Sequence, residues 1–266
     1  MTRTELISRA RKFTEEAPGN YISAEAAIAP EYAGIRIFDS PIFAFGCPDD
    51  ELYLKFKSPD VIGSHFLAPS EWLPSVKTVI SFFLPYTERI KSANAQNYNW
   101  PANEWLHGRY EGHMHLKALA AHVTYLLVDA GFESLIPADD QRYATAATFT
   151  SNWSERHIAF ACGLGTFGLS KGLITEKGIC GRFGSILTKL DLPKDNRPYN
   201  DVYEYCTMCG LCIPHCPAGA ISFEDGMKRA SCSAFLDKVH EKASPRYGCG
   251  KCQVNVPCES GIPACN

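Results

Sequence analysis

The chain has 266 residues, enough for one large domain or two modest ones with a core that needs no staples. Its 26 Lys and Arg against 29 Asp and Glu leave a net charge of −3, which supplies no basic stripe for a phosphate backbone, so nucleic acid is not expected as a main partner. Hydrophobic content of 45% with 12% aromatics fits a folded globule. No run of about 18 apolar residues exists to span a membrane, and the charged, amphipathic N-terminus has no export signal, so a cytoplasmic location is expected.

The spacing of Leu6, Ile7, Ala10 and Phe13 predicts a helix over residues 4–17, stopped by Pro18 and Gly19. Residues 34–38 alternate and read as a strand ending at Pro41. Five prolines and glycines make residues 47–75 mostly loop or short turns. Residues 76–84 are β-branched and aromatic and read as a strand closed by Pro85. Residues 91–108 look irregular. Apolar side chains from Leu116 to Ala130 predict a helix over 115–130, stopped by Gly131. Another helix is expected over 154–162 with Ser154 as its N-cap, followed by strands at 172–175 and 183–192. Helices and strands mix without regular alternation, so the fold class is α+β. Residues 1–200 form the first domain, residues 193–199 a polar linker, and residues 201–266 a second, cysteine-rich domain.

Nine of the 12 cysteines lie between Cys206 and Cys265. Without an export signal, such clustering points to metal rather than to disulfides. Cys206, Cys209, Cys212, Cys216 and Pro217 fit C-x2-C-x2-C-x3-C-P, the bacterial ferredoxin run. Zinc ribbons use pairs of C-x2-C separated by a longer loop instead. In a two-cluster arrangement the fourth cysteine of the run serves the other cube. The expected ligand sets are Cys206, Cys209, Cys212 and Cys258 for one 4Fe-4S cluster and Cys216, Cys232, Cys249 and Cys252 for the second. The long step from Cys252 leaves Cys258 and Cys265 interchangeable. Cys47, Cys162 and Cys180 are expected as small buried hydrophobes.

Gly163, Gly165 and Gly168 match G-x-G-x-x-G. The motif follows a helical pattern and no acidic residue closes a βαβ unit, so a nicotinamide site is not expected. Neither a phosphate-binding loop nor a G-x-S-x-G elbow occurs, which leaves ATP use and serine hydrolysis without support.

The helix, this glycine loop, the strand through Phe183 to Thr188, the ferredoxin run, the isolated Cys232 and the segment from Tyr247 to Gln253 follow one another in an order that resembles the epoxyqueuosine reductases and, more distantly, the reductive dehalogenases. The likeness spans most of residues 70–258. It implies a nitroreductase-like cobalamin-binding domain followed by a two-cluster ferredoxin-like domain. It also implies an oxygen-sensitive oxidoreductase whose clusters reduce a bound cobalamin to the cobalt(I) state. Carried over, Gly163, Leu164, Gly165, Thr166, Phe167, Gly168, Gly184 and Ser185 would line the corrinoid, and Phe149, Ser151, Asn152 and Arg156 fall in the segment just before the loop. The epoxyqueuosine reductases use an Asp as proton donor where this chain has Phe149, which cannot donate. Either Tyr143, Glu155 or His157 replaces the acid, or the substrate needs none at that point. Members that modify tRNA commonly carry a C-terminal helical-repeat region, whereas this sequence ends at Asn266, so a substrate other than tRNA is expected.

An external donor of the ferredoxin or flavodoxin type would supply the electrons. Three other readings stay open: a redox partner that reduces the corrinoid of another protein or a free one, a plain two-cluster electron carrier, and a flavin in the first domain. His107, His113 and His115 fit no zinc motif and are expected on a solvent-facing helix start, with a place in the pocket lining as the alternative, since the family the chain resembles has a His near this helix start. His215 is either a donor to a cluster sulfur or merely exposed. Arg156 is either a clamp on an anion or amide or an ion-pair partner of Glu155 or Asp139. The four tryptophans are expected as core or pocket wall.

Overall fold

A computed structural model of the protein describes residues 1–146 and 149–264. Its centre is a four-stranded antiparallel sheet. The strands are β1 (Ile42–Gly46), β2 (Thr78–Pro85), β3 (Ser134–Leu135) and β6 (Gly181–Thr188), in the order β1-β2-β6-β3. Between β3 and β6, β4 (Gly165–Phe167) and β5 (Leu173–Thr175) pair as a separate ribbon. A second ribbon, β7 (Ile221–Ser222) with β8 (Gly226–Met227), lies in the cysteine-rich part. The helices are α1 (Arg3–Glu16), α2 (Leu52–Phe56), α3 (Pro69–Trp72), α4 (Glu88–Ala95), α5 (Asn103–Asp129), α6 (Glu155–Cys162) and α7 (Arg229–Ala243).

Successive side chains of a strand point to opposite faces, and both faces of β2 are buried. Ile80, Phe82 and Leu84 share a core with Ile186 and with Leu119, Val123 and Leu127 of α5. Val79 and Phe83 share another with Leu187 and with Ile158, Ala159 and Phe160 of α6. The sheet is thus sandwiched between α5 and α6, an α+β arrangement. The same alternation puts Ser185 on the α6 side, where it bears on the site.

The first helix forms at Arg3–Glu16, with a capping box at its start: Thr2 Oγ1 accepts from Glu5 N at 3.2 Å and Glu5 Oε2 accepts from Thr2 N at 3.4 Å. The segment 34–38 is not a strand. Arg36 and Phe38 make only isolated bridges, and Asn20 holds Phe38 through its side-chain amide. The edge strand instead begins after Pro41, at Ile42. Of residues 91–108, expected to be irregular, 91–95 end α4 and 103–108 begin α5, so only the stretch 96–102 between them lacks regular structure. The helix expected from residue 115 starts at Asn103, twelve residues earlier. Gly108 and Gly112 weaken its sequence signal, yet they let it lie against aromatic rings: an added Cβ would come within 2.9 Å of Tyr86 and of Phe38. Tertiary packing overrides propensity there. The last expected strand starts at Gly181 and stops at Thr188, because Thr78 Oγ1 captures Leu190 O (2.8 Å) and Leu192 N (3.0 Å) beyond it. Cys162 and Cys180 are buried, but Cys47 is exposed in the loop after β1, contrary to expectation.

The linker is tied down. Asp195 binds Arg3 at 2.7 Å and accepts from Phe45 N at 2.9 Å, Arg197 pairs with Asp50, and the Tyr199 hydroxyl donates to Phe160 O at 2.6 Å. Further on, the chain returns to the first domain. Asn94 Nδ2 donates to Cys249 O at 3.0 Å, Ile179 N donates to Cys258 O at 2.9 Å, and Lys91 Nζ reaches Ser260 Oγ at 2.6 Å. Gly250 has φ +64° and lies so close to Trp105 that a Cβ would stand 1.8 Å from its ring. Gly250→Ala should therefore cost about 2–4 kcal/mol through overpacking and left-handed strain, lowering the melting temperature and the iron retained on reconstitution. An unchanged melting temperature would contradict this packing.

Candidate functional site

The ferredoxin run is folded by turns rather than by helix or strand. Met208 (φ +50°) and Gly210 (φ +74°) reverse the chain between its cysteines. Cys206, Cys209, Cys212 and Cys258 line one cavity together with Gly168, and Cys252 reaches the same cavity. Burial pushes the Cys258 thiol up to about 12, and the neighbours that add to the shift are Cys206, Cys209 and Cys212. Cys265 lies outside the described residues. The other thiols influence a different set. Burial raises Cys249 to about 11, with Cys232 and Cys216 adding to it. Cys252 is pushed up by burial and then by Cys249, Cys232 and Cys216, with Cys212 of the first set behind them.

The donor chemistry fits iron-sulfur cubes. Among the described residues no three His, Cys, Asp or Glu side chains converge as ligands of a single metal ion. Zinc would need its sulfurs at about 2.3 Å from one point, whereas a cube takes one thiolate on each of its irons. Ala220 N already points at Cys216 Sγ at 3.3 Å, a donor of the kind that stabilises ligand sulfur. Lys251, buried between Cys249 and Cys252, donates through Nζ to Asn94 O (2.7 Å) and Asn94 Oδ1 (2.9 Å). His215 Nδ1 lies 3.1 Å from Val254 O and the ring stacks on Tyr98, so this nitrogen addresses backbone rather than a sulfur.

The glycine loop packs against protein on both sides. Gly163 caps α6 at φ +96°, and a Cβ on Gly165 would stand 2.0 Å from Ile174 O of β5. Leu164 is core. Phe167 N donates to Val202 O at 2.8 Å, Thr166 Oγ1 accepts from Tyr205 N at 2.8 Å, and a Cβ on Gly168 would lie 3.8 Å from Cys206 Sγ. The loop thus stitches the first domain to the segment carrying the first cysteines. The space beside Gly184 is filled by the Phe82 ring, 2.4 Å from where a Cβ would be.

Glu155 opens α6, where the helix dipole favours a carboxylate. Burial wins against it and pushes the carboxyl up to about 7, while the Ser185 hydrogen bond pulls it down and Asp139 adds a smaller raise. Ser185 Oγ donates to Glu155 Oε2 at 2.6 Å and accepts from Trp153 Nε1 at 2.9 Å. His157 is held differently. Its Nδ1 is 2.7 Å from Ser154 Oγ, and its ring sits between Phe56 and Phe167. Burial and then Arg156 lower it to about 3, so it is neutral. Tyr143 is 39% exposed. Of Glu155 and His157, only Glu155 changes protonation near neutral pH.

Phe149 (φ +60°) is half exposed, and its carbonyl accepts from Arg229 Nη1 at 2.9 Å. Ser151 donates to Trp153 O at 2.6 Å. The Asn152 amide is committed to its own loop, accepting from Ala144 N and donating to Arg142 O. Arg156 donates to Lys171 O at 2.9 Å and pairs with neither Glu155 nor Asp139. The helix histidines depart from expectation. His107 and His115 are buried: His107 lies 3.0 Å from Glu111 and accepts from Ile28 N, and His115 stacks between Phe13 and Phe38 with both nitrogens unpartnered. His113 Nδ1 is 3.1 Å from Arg182 Nη2. Arg109 and Arg182, absent from the sequence expectations, lie together beside His113, and Arg182 and a third unexpected arginine, Arg229, both lie near Arg156. Only the one-turn spacing of Arg109 and His113 hinted at it.

Residues 199–222 match the family of 4Fe-4S binding domains. An epoxyqueuosine reductase of Bacillus cereus is 25% identical over 223 residues, covering 78% of this chain and 54% of its own length. A tetrachloroethene reductive dehalogenase of Desulfitobacterium hafniense is 32% identical over 117 residues, 41% of this chain and 21% of that one. The homologues of this chain are epoxyqueuosine reductases and reductive dehalogenases. All are oxidoreductases by name. The chain spans about half the length of the curated epoxyqueuosine reductase it matches. A solved epoxyqueuosine reductase, crystallised with an epoxyqueuosine-modified tRNA-Tyr stem loop, superposes with a TM-score of 0.57 at 18% identity, covering 98% of this chain and 66% of that one. A catabolic reductive dehalogenase superposes at 0.54 with 13% identity over 98% of this chain and 37% of its own. The fold is shared. No helix among the described residues is long and apolar enough to cross a membrane.

Beyond residue 200, Ala220, Ile221, Val239, Val254 and Val256 are the buried apolar side chains among the described residues. So small a core leaves the segment dependent on its metal and on docking. Stripping iron with a chelator should open residues 201–264 to protease and hydrogen exchange while the central sheet stays protected. Undiminished protection of the cysteine-rich part would contradict this.

Proposed function

We propose that the protein is a corrinoid-dependent iron-sulfur oxidoreductase carrying two 4Fe-4S clusters. The first would be held by Cys206, Cys209, Cys212 and Cys258, the second by Cys216, Cys232, Cys249 and Cys252. The observation that carries the reading is the gathering of Cys206, Cys209, Cys212 and Cys258 around one cavity, with Cys252 the member of the other set that reaches it. Electrons would enter at the first set, where Cys209 is exposed, and leave through the second, where Arg156 lies beside Cys252 and Cys232. A ferredoxin- or flavodoxin-type protein would be the donor.

Support for the corrinoid comes from the homologues and from the orphaned cationic groups before the sheet end. Arg182 Nε is buried without a partner, as suits a ligand rich in amide and phosphate acceptors. Arg182, Phe149 and Ser151 would hold it, and when bound it supplies a metal centre able to deliver electrons to an organic substrate. Glu155 takes the donor role that Phe149 cannot fill. Its neutral acid form persists to about pH 7, and the Ser185–Trp153 chain fixes its direction. A redox-partner role is the second reading. It rests on Phe149, 50% exposed where the epoxyqueuosine reductases would have their acid.

Anaerobically reconstituted protein should take up one cobalamin per chain, followed by its visible absorption; no uptake would sink both readings. Glu155 gives a second test. Because its folded value is raised, the protonated form stabilises the fold at low pH, and that stability is lost as pH climbs from the ordinary carboxylate range through about 7. The melting temperature of the wild type should fall between about pH 5 and about pH 8, while Glu155→Gln, which mimics the neutral acid, stays flatter. Parallel curves would remove Glu155 as the acid.

A further inference from the structure

We infer that Arg109, Arg182 and Arg229 form a subsite for an oxyanion, a phosphate or carboxylate carried by a ligand that enters between α5, the start of β6 and α7. The inference deepens the corrinoid-reductase reading and rests on it only for which ligand carries the anion.

Arg109 and His113 lie one turn apart on α5 and so share a face. Arg182 reaches His113 with Nη2 at 3.1 Å, and its neighbour Gly181 pairs with Pro85, beside Tyr86, whose hydroxyl donates to Gly108 O at 3.0 Å. This register draws Arg109 and Arg182 together. Arg109 stacks on Tyr247 at 4.4 Å, and Arg229 spends one Nη1 donor on Phe149 O.

The nearby carboxylates are taken. Glu104 pairs with Arg89, Glu111 with Arg246 and His107, Asp139 with Lys117, and Asp140 with Arg142. No ion pair among the described residues includes Arg109, Arg182 or Arg229, and Arg182 Nε has no partner at all. Arg156 is a different case, because Cys252 and Cys232, both assigned to the second cluster, lie beside it. Burial, and then Arg182, lower Arg109 to about 10, the direction expected when like charges crowd without a counter-charge. His113, lowered to about 4 by burial and then by Arg182, offers a neutral acceptor and no competing cation. A guanidinium fork is the group best matched to planar oxyanions.

The test uses full-length, cluster-reconstituted protein and inorganic pyrophosphate as probe, by calorimetry at low ionic strength. Pyrophosphate should bind once per chain. Arg182→Gln, Arg109→Gln and Arg229→Gln should each weaken it about tenfold, with iron content unchanged. The surface variant Lys77→Gln should not. Absence of saturable binding, or variants that bind as the wild type does, would overturn the inference. Loading with cobalamin and with cobinamide, which lacks the nucleotide tail, separates the sources. Loss of the probe site with cobalamin alone assigns the anion to the cofactor's phosphodiester. Retention with both assigns it to the substrate. Expulsion by both would put the arginines against the corrin ring and overturn the oxyanion assignment. Pyrophosphate binding without any cobalamin uptake would defeat the corrinoid reading and leave this subsite standing.

Discussion

Eight cysteines must be gathered by a segment with almost no apolar core, and the more buried of them resist losing their protons. That opposition organises the molecule. Burial and mutual repulsion push Cys212 and Cys249 up to about 11 and Cys258 to about 12, so without metal these three stay neutral thiols. The tail that carries Cys249, Cys252 and Cys258 is therefore positioned by the first domain. Trp105 packs against Gly250, Asn94 holds the Cys249 carbonyl and the Lys251 ammonium, and Ile179 holds the Cys258 carbonyl. Buried Lys251 brings positive charge to the second set, where metal-bound thiolates would otherwise accumulate negative charge.

The same docking explains the glycine loop. Gly165 and Gly168 are small because Ile174 of β5 approaches both, and Thr166 and Phe167 are hydrogen-bonded to the chain leading into the run. The loop couples α6, which carries Glu155 and Arg156, to the cysteines. The helix that carries a carboxylic acid and an arginine is thereby tied to the start of the ferredoxin run. The sheet supplies the remaining constraint. Its alternation turns Ser185 toward α6 and gives Glu155 a fixed partner, while Arg182, three residues away, faces α5 and His113.

Much of this was legible in the sequence because it is local. The β2 segment is β-branched and aromatic for most of its length and reads as a buried strand, α6 shows its period and its Gly163 cap, and the ferredoxin spacing names its chemistry. What escaped depends on non-local packing. The first three turns of α5 hide behind Gly108 and Gly112, whose purpose is visible only when Tyr86 and Phe38 lie against them. His107 and His115 look like surface residues until that helix is seen to be buried from its start. The strand pattern at 34–38 competed with Asn20, whose amide took the hydrogen bonds a ladder would need. The arginines come from three separate elements, and no spacing connects them. Glu155 was one of three candidates by position; its raised proton affinity follows from the fold.

The central claim is that the two sets of thiols hold two separate four-iron clusters. Iron and sulfide counted per chain after anaerobic reconstitution, in the wild type and in Cys258→Ser and Cys232→Ser, test it most directly. The account predicts about eight irons in the wild type and about four in each variant. About four irons in the wild type, or full iron in either variant, would contradict it.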